Sequence, residues 1–474
     1  MLRDFYRKHR WFTAVLIISG ILTATLAGVL IFSTIEGVHF YSIYNQDDKA
    51  VHTSEAVKQQ ENEREAAELQ VMLALGETRD EIVISWKGNE AGPSYFHYGR
   101  TPGEAAESAL IKADRETASG GKYYRYSVSL ENLKAGQEYY CEIGDGGSFQ
   151  EIEKFQGTGT FQWAGTFRTP ENRQETTFLY LGDVQAGNEY GKWGNALSTI
   201  YGRYPGIDFA LSGGDLVDNG KSIKQWDSFF ENAALFSRIP LMTVPGNHEG
   251  AGSNNTYKAL FTLPENGPDI EGLKESFYYF DYGYCRFIMM DSSFLTDKRK
   301  AALGSEEWER CEDSIEGWLE KTLDESPKIW NIVVTHHPPY GLHDYNTVSP
   351  QLRKLWTPVM EKGDVDLVLS GHQHVYMRTR KINGITYITG NSGNMKSTYY
   401  TGYNAPLYAE TVVDGGFNFQ MITAGRRSLS VASLDKNGSV IDEAVIKKES
   451  RFHIFEFFSS NQVIIQSAQV DVVI

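Results

Sequence analysis

DLVLSGHQHVY, residues 366–376, is an apolar run that stops at a glycine and then presents His372 and His374. Two histidines two positions apart, just past a strand end, are poor packing material. Their neutral imidazole nitrogens can converge on a dication while the strand holds their Cα atoms in place. Four upstream segments end in the same way. FLYLGDVQ (178–185), DFALSGGDLVDNG (208–220) and PLMTVPGNHE (240–249) run from an apolar strand through a glycine turn to a carboxylate, amide or imidazole. WNIVVTHHPP (330–339) reaches His336 and His337 without the glycine. One histidine after a strand is ordinary structural material, but five apolar runs that all end in ligand-type residues are not. Ligands in open α/β sheets collect at the carboxyl ends of strands, so these ends predict a metal site. Six of the eleven histidines lie between His248 and His374, and all of these but His343 sit at the strand ends.

The 474 residues suit two domains with appendages. With 45 basic and 61 acidic side chains the net charge is −16, which excludes the basic footprint of a nucleic-acid binder. Such a surface also repels polyanions unless bound metals reverse the field locally. Cys141, Cys285 and Cys311 show no CxxC spacing, so three buried thiols are expected, with a Cys285–Cys311 bridge as the alternative.

Arg3, Arg7, Lys8 and Arg10 (tail 1–10) precede residues 11–32, which carry no formal charge. As a helix they span roughly 33 Å, enough for a hydrocarbon core of about 30 Å. The basic flank predicts a single-pass anchor with a cytoplasmic amino terminus and the rest of the chain outside. A cleaved signal peptide is the competing reading, disfavoured by the length of the apolar run. Residues 33–67 read as a polar stalk. From 68 to 169, the runs QVMLAL (70–75), EIVISW (81–86), YFHYG (95–99), YYRYSVSL (123–130), EYYCEIG (138–144) and GTFRT (165–169) predict an all-β sandwich. Residues 174–446 mix apolar runs with the amphipathic segments 192–204, 221–236 and 305–323, which is α/β alternation. This region closes on a hairpin (429–446) turning at Asn437-Gly438. The apolar extension 447–474 suggests a further sheet edge, and its sequence assigns it no particular role.

Taken together, the strand ends offer Asp183, Gln185, Asp215, Asn247, His248, His336, His337, His372 and His374. This mixture of hard oxygens and imidazoles suits Fe, Mn or Zn. It is too large for one ion. Two ions about 3.5–4 Å apart can share a carboxylate and clamp an in-line phosphoryl transfer.

GDVQ, GGDLVDNG, GNHE, THHPP and GHQH, in this order, resemble the five motifs of the calcineurin-like metallophosphoesterases. The preceding β-sandwich, ending in GTFRTP, makes the chain similar to the purple acid phosphatase branch, whose catalytic domain follows a fibronectin-III-like domain. The resemblance covers roughly residues 68–446. It implies a four-layer αββα catalytic domain behind a fibronectin-III-like sandwich. It also implies that Asp183 and His374 bind a first metal, that Asp215 bridges, and that Asn247, His336 and His372 bind a second. His248 would face the phosphoryl group and serve the leaving oxygen. His343 falls near a substrate-facing histidine of the acid phosphatases, against the reading of an ordinary loop residue. His337 is expected to support a ligand or the structure, and the 391–394 loop to complete the site wall.

Two positions depart from the family pattern. Asp218 stands where purple acid phosphatases have a tyrosine that binds ferric iron, and Gln185 stands where the wider family has histidine. The Gln185 amide either ligates the first metal or bonds a water. The expected activity is hydrolysis of small phosphomonoesters by metal-bound hydroxide attacking in line, at an extracellular site tethered to the cell membrane. Phosphodiesters, cyclic nucleotides and pyrophosphates are the nearest alternatives. From another class, the alternative is a catalytically degenerate surface protein that engages a partner through its β-sandwich. A partner could also bind the sandwich alongside catalysis.

Overall fold

The computed structural model describes residues 69–448, apart from residues 79, 89–93, 108–110, 119–122, 146–160, 172, 188, 250–254, 345–346, 396 and 398–403. The expected anchor 11–32, the stalk 33–67 and the apolar stretch 450–474 lie outside the described residues. Among the described residues no helix is long and apolar enough to cross a membrane.

Alternating aromatic and polar residues put one face of each early strand into a core. The strands are β1 (Met72–Leu75), β2 (Ile82–Gly88), β3 (Ser94–Gly99), β4 (Ile111–Lys112), β5 (Asp114–Ala118), β6 (Tyr123–Leu130), β7 (Glu138–Asp145) and β8 (Phe161–Arg168). They form two four-stranded sheets, ordered β1-β2-β6-β5 and β4-β3-β7-β8. Trp86 of β2 stacks between Phe96 and Tyr126 at 6.1 and 6.2 Å. Its indole N–H donates to Ser94 Oγ (3.0 Å), so the buried polar edge is satisfied. The short β4 and β5, and helix α1 (Pro102–Glu107), carry too little apolar alternation to stand out in the sequence.

The next thirteen strands are β9 (Thr176–Leu181), β10 (Phe209–Ser212), β11 (Leu241–Thr243), β12 (Phe277–Tyr282), β13 (Cys285–Met290), β14 (Trp330–Thr335), β15 (Val365–Ser370), β16 (Val375–Thr379), β17 (Thr386–Thr389), β18 (Ala409–Asp414), β19 (Phe419–Ala424), β20 (Ser428–Leu434) and β21 (Val440–Lys447). They form a six-stranded sheet, β11-β10-β9-β19-β20-β21, and a seven-stranded sheet, β12-β13-β14-β15-β17-β16-β18. The runs read as continuous apolar segments because both faces are covered. Phe287, Met289, Ile332, Val334, Leu367 and Leu369 point into the core between the sheets. The alternate residues Ile288, Met290, Val333 and Val368 pack with α6 (Ser305–Asp324) and α7 (Val348–Lys362) through Trp308, Leu319 and Trp356. Phe178 and Phe209 meet Phe287 edge-on at 5.1 and 5.3 Å, locking sheet to sheet. Helices α2 (Gly191–Arg203) and α3 (Ile223–Glu231) add Trp193, Leu197, Trp226 and Phe229 to the core of the six-stranded sheet. The remaining helices are the short α4 (Asn255–Leu260) and α5 (Asp297–Leu303).

Sandwich and α/β region share one continuous hydrophobic core. At their junction Asp227 of α3 accepts from Gln70 Nε2 (2.8 Å) and Lys87 Nζ (2.6 Å). Arg125, buried beside them, lies over the Phe230 ring at 4.7 Å and donates to Gln70 O and Ser85 Oγ. The alternative Cys285–Cys311 bridge is not formed: all three cysteines are free, buried thiols.

Candidate metal centre

Strands β11, β10 and β9 run parallel, as do β13, β14, β15 and β17, so in each sheet the carboxyl ends fall on one edge. The two edges meet. The His336 Nδ1–H, from the end of β14, donates to Gly213 O after β10 (2.9 Å). The His372 backbone N–H, after β15, donates to Asp183 Oδ1 after β9 (2.8 Å). Asp215, His372 and His374 hold left-handed backbone, with φ of 51°, 71° and 51°. Such conformations cost about 1–3 kcal/mol each and collect at functional sites.

At the centre, Asn247 Oδ1 lies 2.9 Å from both His336 Nε2 and His372 Nδ1, and those two nitrogens are 3.3 Å apart. Asp215 Oδ2 is 3.2 Å from His336 Nε2. His336 Nδ1 carries the hydrogen given to Gly213, so in the neutral ring Nε2 would offer its lone pair to a cation. Asp183 Oδ2 is buried without a hydrogen-bond partner among the described residues. Donor atoms about 2.0–2.1 Å from one ion lie roughly 2.8–3.4 Å from each other, depending on the angle between them, and the four distances of 2.9–3.3 Å fall in that range. The field here favours positive charge, as a proton or as a bound cation: burial pulls His336 down, but Asp215 and Asp183 outweigh it and lift the group to about 9. His372, by contrast, is pushed down to about 3 by burial and by His336. A cation fits this donor set.

The other expected residues sit around this centre. His374 Nε2 is 3.0 Å from Gln185 Oε1, and Gln185 Nε2 donates to Asp215 Oδ2 (3.4 Å), so His374 reaches the carboxylates through that amide. His248 is the exposed member. Its Nδ1–H donates to Asp218 O (2.6 Å), which leaves Nε2 3.9 Å from Asp215 Oδ2. His337 lies behind the cluster, its ring 4.3 Å from His372 and its Nδ1 2.9 Å from Ser292 Oγ. His343 stands at the rim, half-buried, where burial favours its neutral ring and its carbonyl accepts from Gln373 Nε2 (2.8 Å). Gly393 of the 391–394 loop donates its N–H to Asp183 O (2.6 Å), closing one wall.

Two supports escape a reading of single motifs. Glu249, the last residue of PGNHE, is buried and accepts the backbone N–H groups of Asp215, Val217 and Gly246. Burial and Asp215 lift its carboxyl to about 7. Asp291 and Ser292 follow β13, another apolar run of the same construction (FIMMDSS), and there Ser292 Oγ accepts the His337 N–H (2.9 Å). Burial pushes Asp291 up to about 7.

Residues 176–376 match the calcineurin-like phosphoesterase family, and residues 69–162 match the purple acid phosphatase N-terminal domain. The acid phosphatase type 7 of Danio rerio is 25% identical over 433 residues, covering 80% of this chain and 91% of that protein. Purple acid phosphatase 5 of Arabidopsis thaliana is 33% identical over 356 residues, covering 71% of this chain and 75% of the relative. A solved purple acid phosphatase from yellow lupin (Lupinus luteus) seeds superposes with a TM-score of 0.62 at 22% identity, covering 81% of this chain and 75% of the lupin chain.

Proposed function

The chain belongs to the purple acid phosphatases, metal-dependent hydrolases of phosphoric esters, and we propose that it cleaves small phosphomonoesters with two metal ions sharing Asp215. The observation that carries the reading is the meeting of Asn247 Oδ1, His336 Nε2, His372 Nδ1 and Asp215 Oδ2 within 3.3 Å of their neighbours. Asp183, with Gln185 and His374 beside it, would hold the first ion; Asn247, His336 and His372 would hold the second. When bound, such a pair neutralises phosphoryl oxygens and eases ionisation of water near neutral pH.

The chain's own groups supply the rest. His248, fixed by its Nδ1–H on the Asp218 carbonyl, aims Nε2 over the open side of the cluster, where it would serve the departing oxygen. His343 at the rim is suited to a second contact with substrate. Asp218 in place of a tyrosine supports a pair of divalent ions, with no phenolate to favour ferric iron.

The amino-terminal sequence supports an enzyme held at a membrane with its catalytic region outside, since uncharged residues 11–32 follow four basic residues. Protease added to intact cells should reach the catalytic region; full protection would reverse that orientation.

The activity is tested by elemental analysis of the full-length protein together with turnover of 4-nitrophenyl phosphate, its diester and a cyclic nucleotide. Two ions per chain and preferred cleavage of the monoester are expected. Two bound ions with no hydrolysis of any phosphoric ester would sink the reading. His248→Ala should keep both ions and lose about 10²-fold or more in rate; an unchanged rate removes His248 from the mechanism.

A further inference from the structure

Asp215 is held from every side but one. Its carbonyl accepts from Val184 N (3.0 Å) and Gln185 N (3.1 Å), and its Oδ1 accepts from His248 N (2.9 Å). Its own N–H donates to Glu249 Oε2 (2.8 Å). The same Glu249 oxygen takes the Gly246 N–H (2.8 Å), and Oε1 takes the Val217 N–H (3.1 Å). Hydrogen bonds to a carboxylate are about twice as strong as neutral ones, and these three hold a residue at φ 51°. The fit is close: a Cβ on Gly246 would stand 2.2 Å from Asp215 Oδ1. What remains facing the cluster is Oδ2, 3.2 Å from His336 Nε2.

We infer that Glu249 is a positioning residue for the reaction: its buried carboxylate ties the Asp215 turn to the turn carrying Asn247 and His248, and so decides which oxygen of Asp215 the metals meet. The inference rests on the dinuclear reading above. Glu249 does not touch substrate; it acts through Asp215 and Asn247. In Glu249→Gln the amide nitrogen replaces one of the two oxygens, so at least one of the three N–H groups faces another donor. Glu249→Asp keeps the charge but withdraws it by one methylene.

The test is calorimetric titration of the chelator-stripped, full-length protein with Mn²⁺, beside turnover of 4-nitrophenyl phosphate. Glu249→Gln should keep the wild-type circular dichroism spectrum and bind Mn²⁺ about 10- to 100-fold more weakly. Its kcat should stay depressed at saturating Mn²⁺ with KM unchanged, because Oδ2 is misplaced even when the ions are present. Wild-type Mn²⁺ affinity and kcat in this variant would overturn the role. Should the Gln variant not fold, Glu249→Asp carries the test alone: weakened Mn²⁺ binding supports the role, and wild-type binding overturns it. Failure of the wild-type protein to bind two Mn²⁺ ions would instead bring down the dinuclear reading on which this one stands.

Discussion

Asp215 Oδ2, His336 Nε2, Asn247 Oδ1 and His372 Nδ1 crowd together at about hydrogen-bond distance, and a cation bound among them would take up the lone pairs of all four. Asp215→Asn keeps the shape and removes the charge. It is expected to lose most of the bound metal and at least about 100-fold in rate, read by elemental analysis and turnover. Gln185→Ala should weaken only the ion nearest His374; unchanged binding at both positions confines Gln185 to water contacts. Asp291 gives a pH signature. Its folded pKa, raised to about 7 by burial, lies above its unfolded value of about 3.9. The folded state therefore binds more protons between these values, and the group's contribution falls as pH rises through that window. Relative to Asp291→Asn, the metal-free wild-type protein should gain stability as pH drops from 7.5 to 5; a parallel pair of curves would refute the assignment. The ligand-type residues were legible because each follows an apolar run in one short motif. Glu249 and Ser292 were not, because Asp215 and Val217, which Glu249 holds, and His337, which Ser292 holds, come from other motifs and only folding brings them near.

Parallel strands buried on both faces announce themselves as apolar runs, and β9, β10, β14 and β15 could be read from sequence for that reason. Helix α7 was hidden by Pro350 in its first turn and Pro358 in its interior, and β18 by the long segment that separates it from β17. The closing hairpin was visible through its Asn437-Gly438 turn, but its task was not. Asp442 on β21 accepts from Tyr376 Oη (2.6 Å), Arg378 Nε (2.7 Å) and Thr411 Oγ1 (3.0 Å). It thereby fastens the hairpin to β16, the strand that leaves His374. Arg378 is buried, with Glu410 as its other acidic partner. Asp442→Ala should cost about 3 kcal/mol, the scale for breaking a buried ion pair, measured by urea denaturation. A loss below about 0.5 kcal/mol, the range of ordinary surface substitutions, would show the hairpin to be held by its apolar face alone.

Sandwich and catalytic region look separable in sequence because their periodicities differ, two residues against a mixture of two and 3.6. In the folded chain one core runs through both, and Gln70, Lys87 and Arg125 grip α3 through Asp227 and Phe230. A sandwich acting as a loose spacer would melt by itself. The shared core predicts one calorimetric transition for the sandwich and catalytic region together, and a lower but still single transition in Asp227→Ala. A separate early transition in the wild-type protein would contradict it. This junction also bears on ancestry. A recombination event that joined the catalytic half to a foreign sandwich would strand Asp227 and Phe230 opposite mismatched residues, so such an exchange is expected to cost stability at the junction.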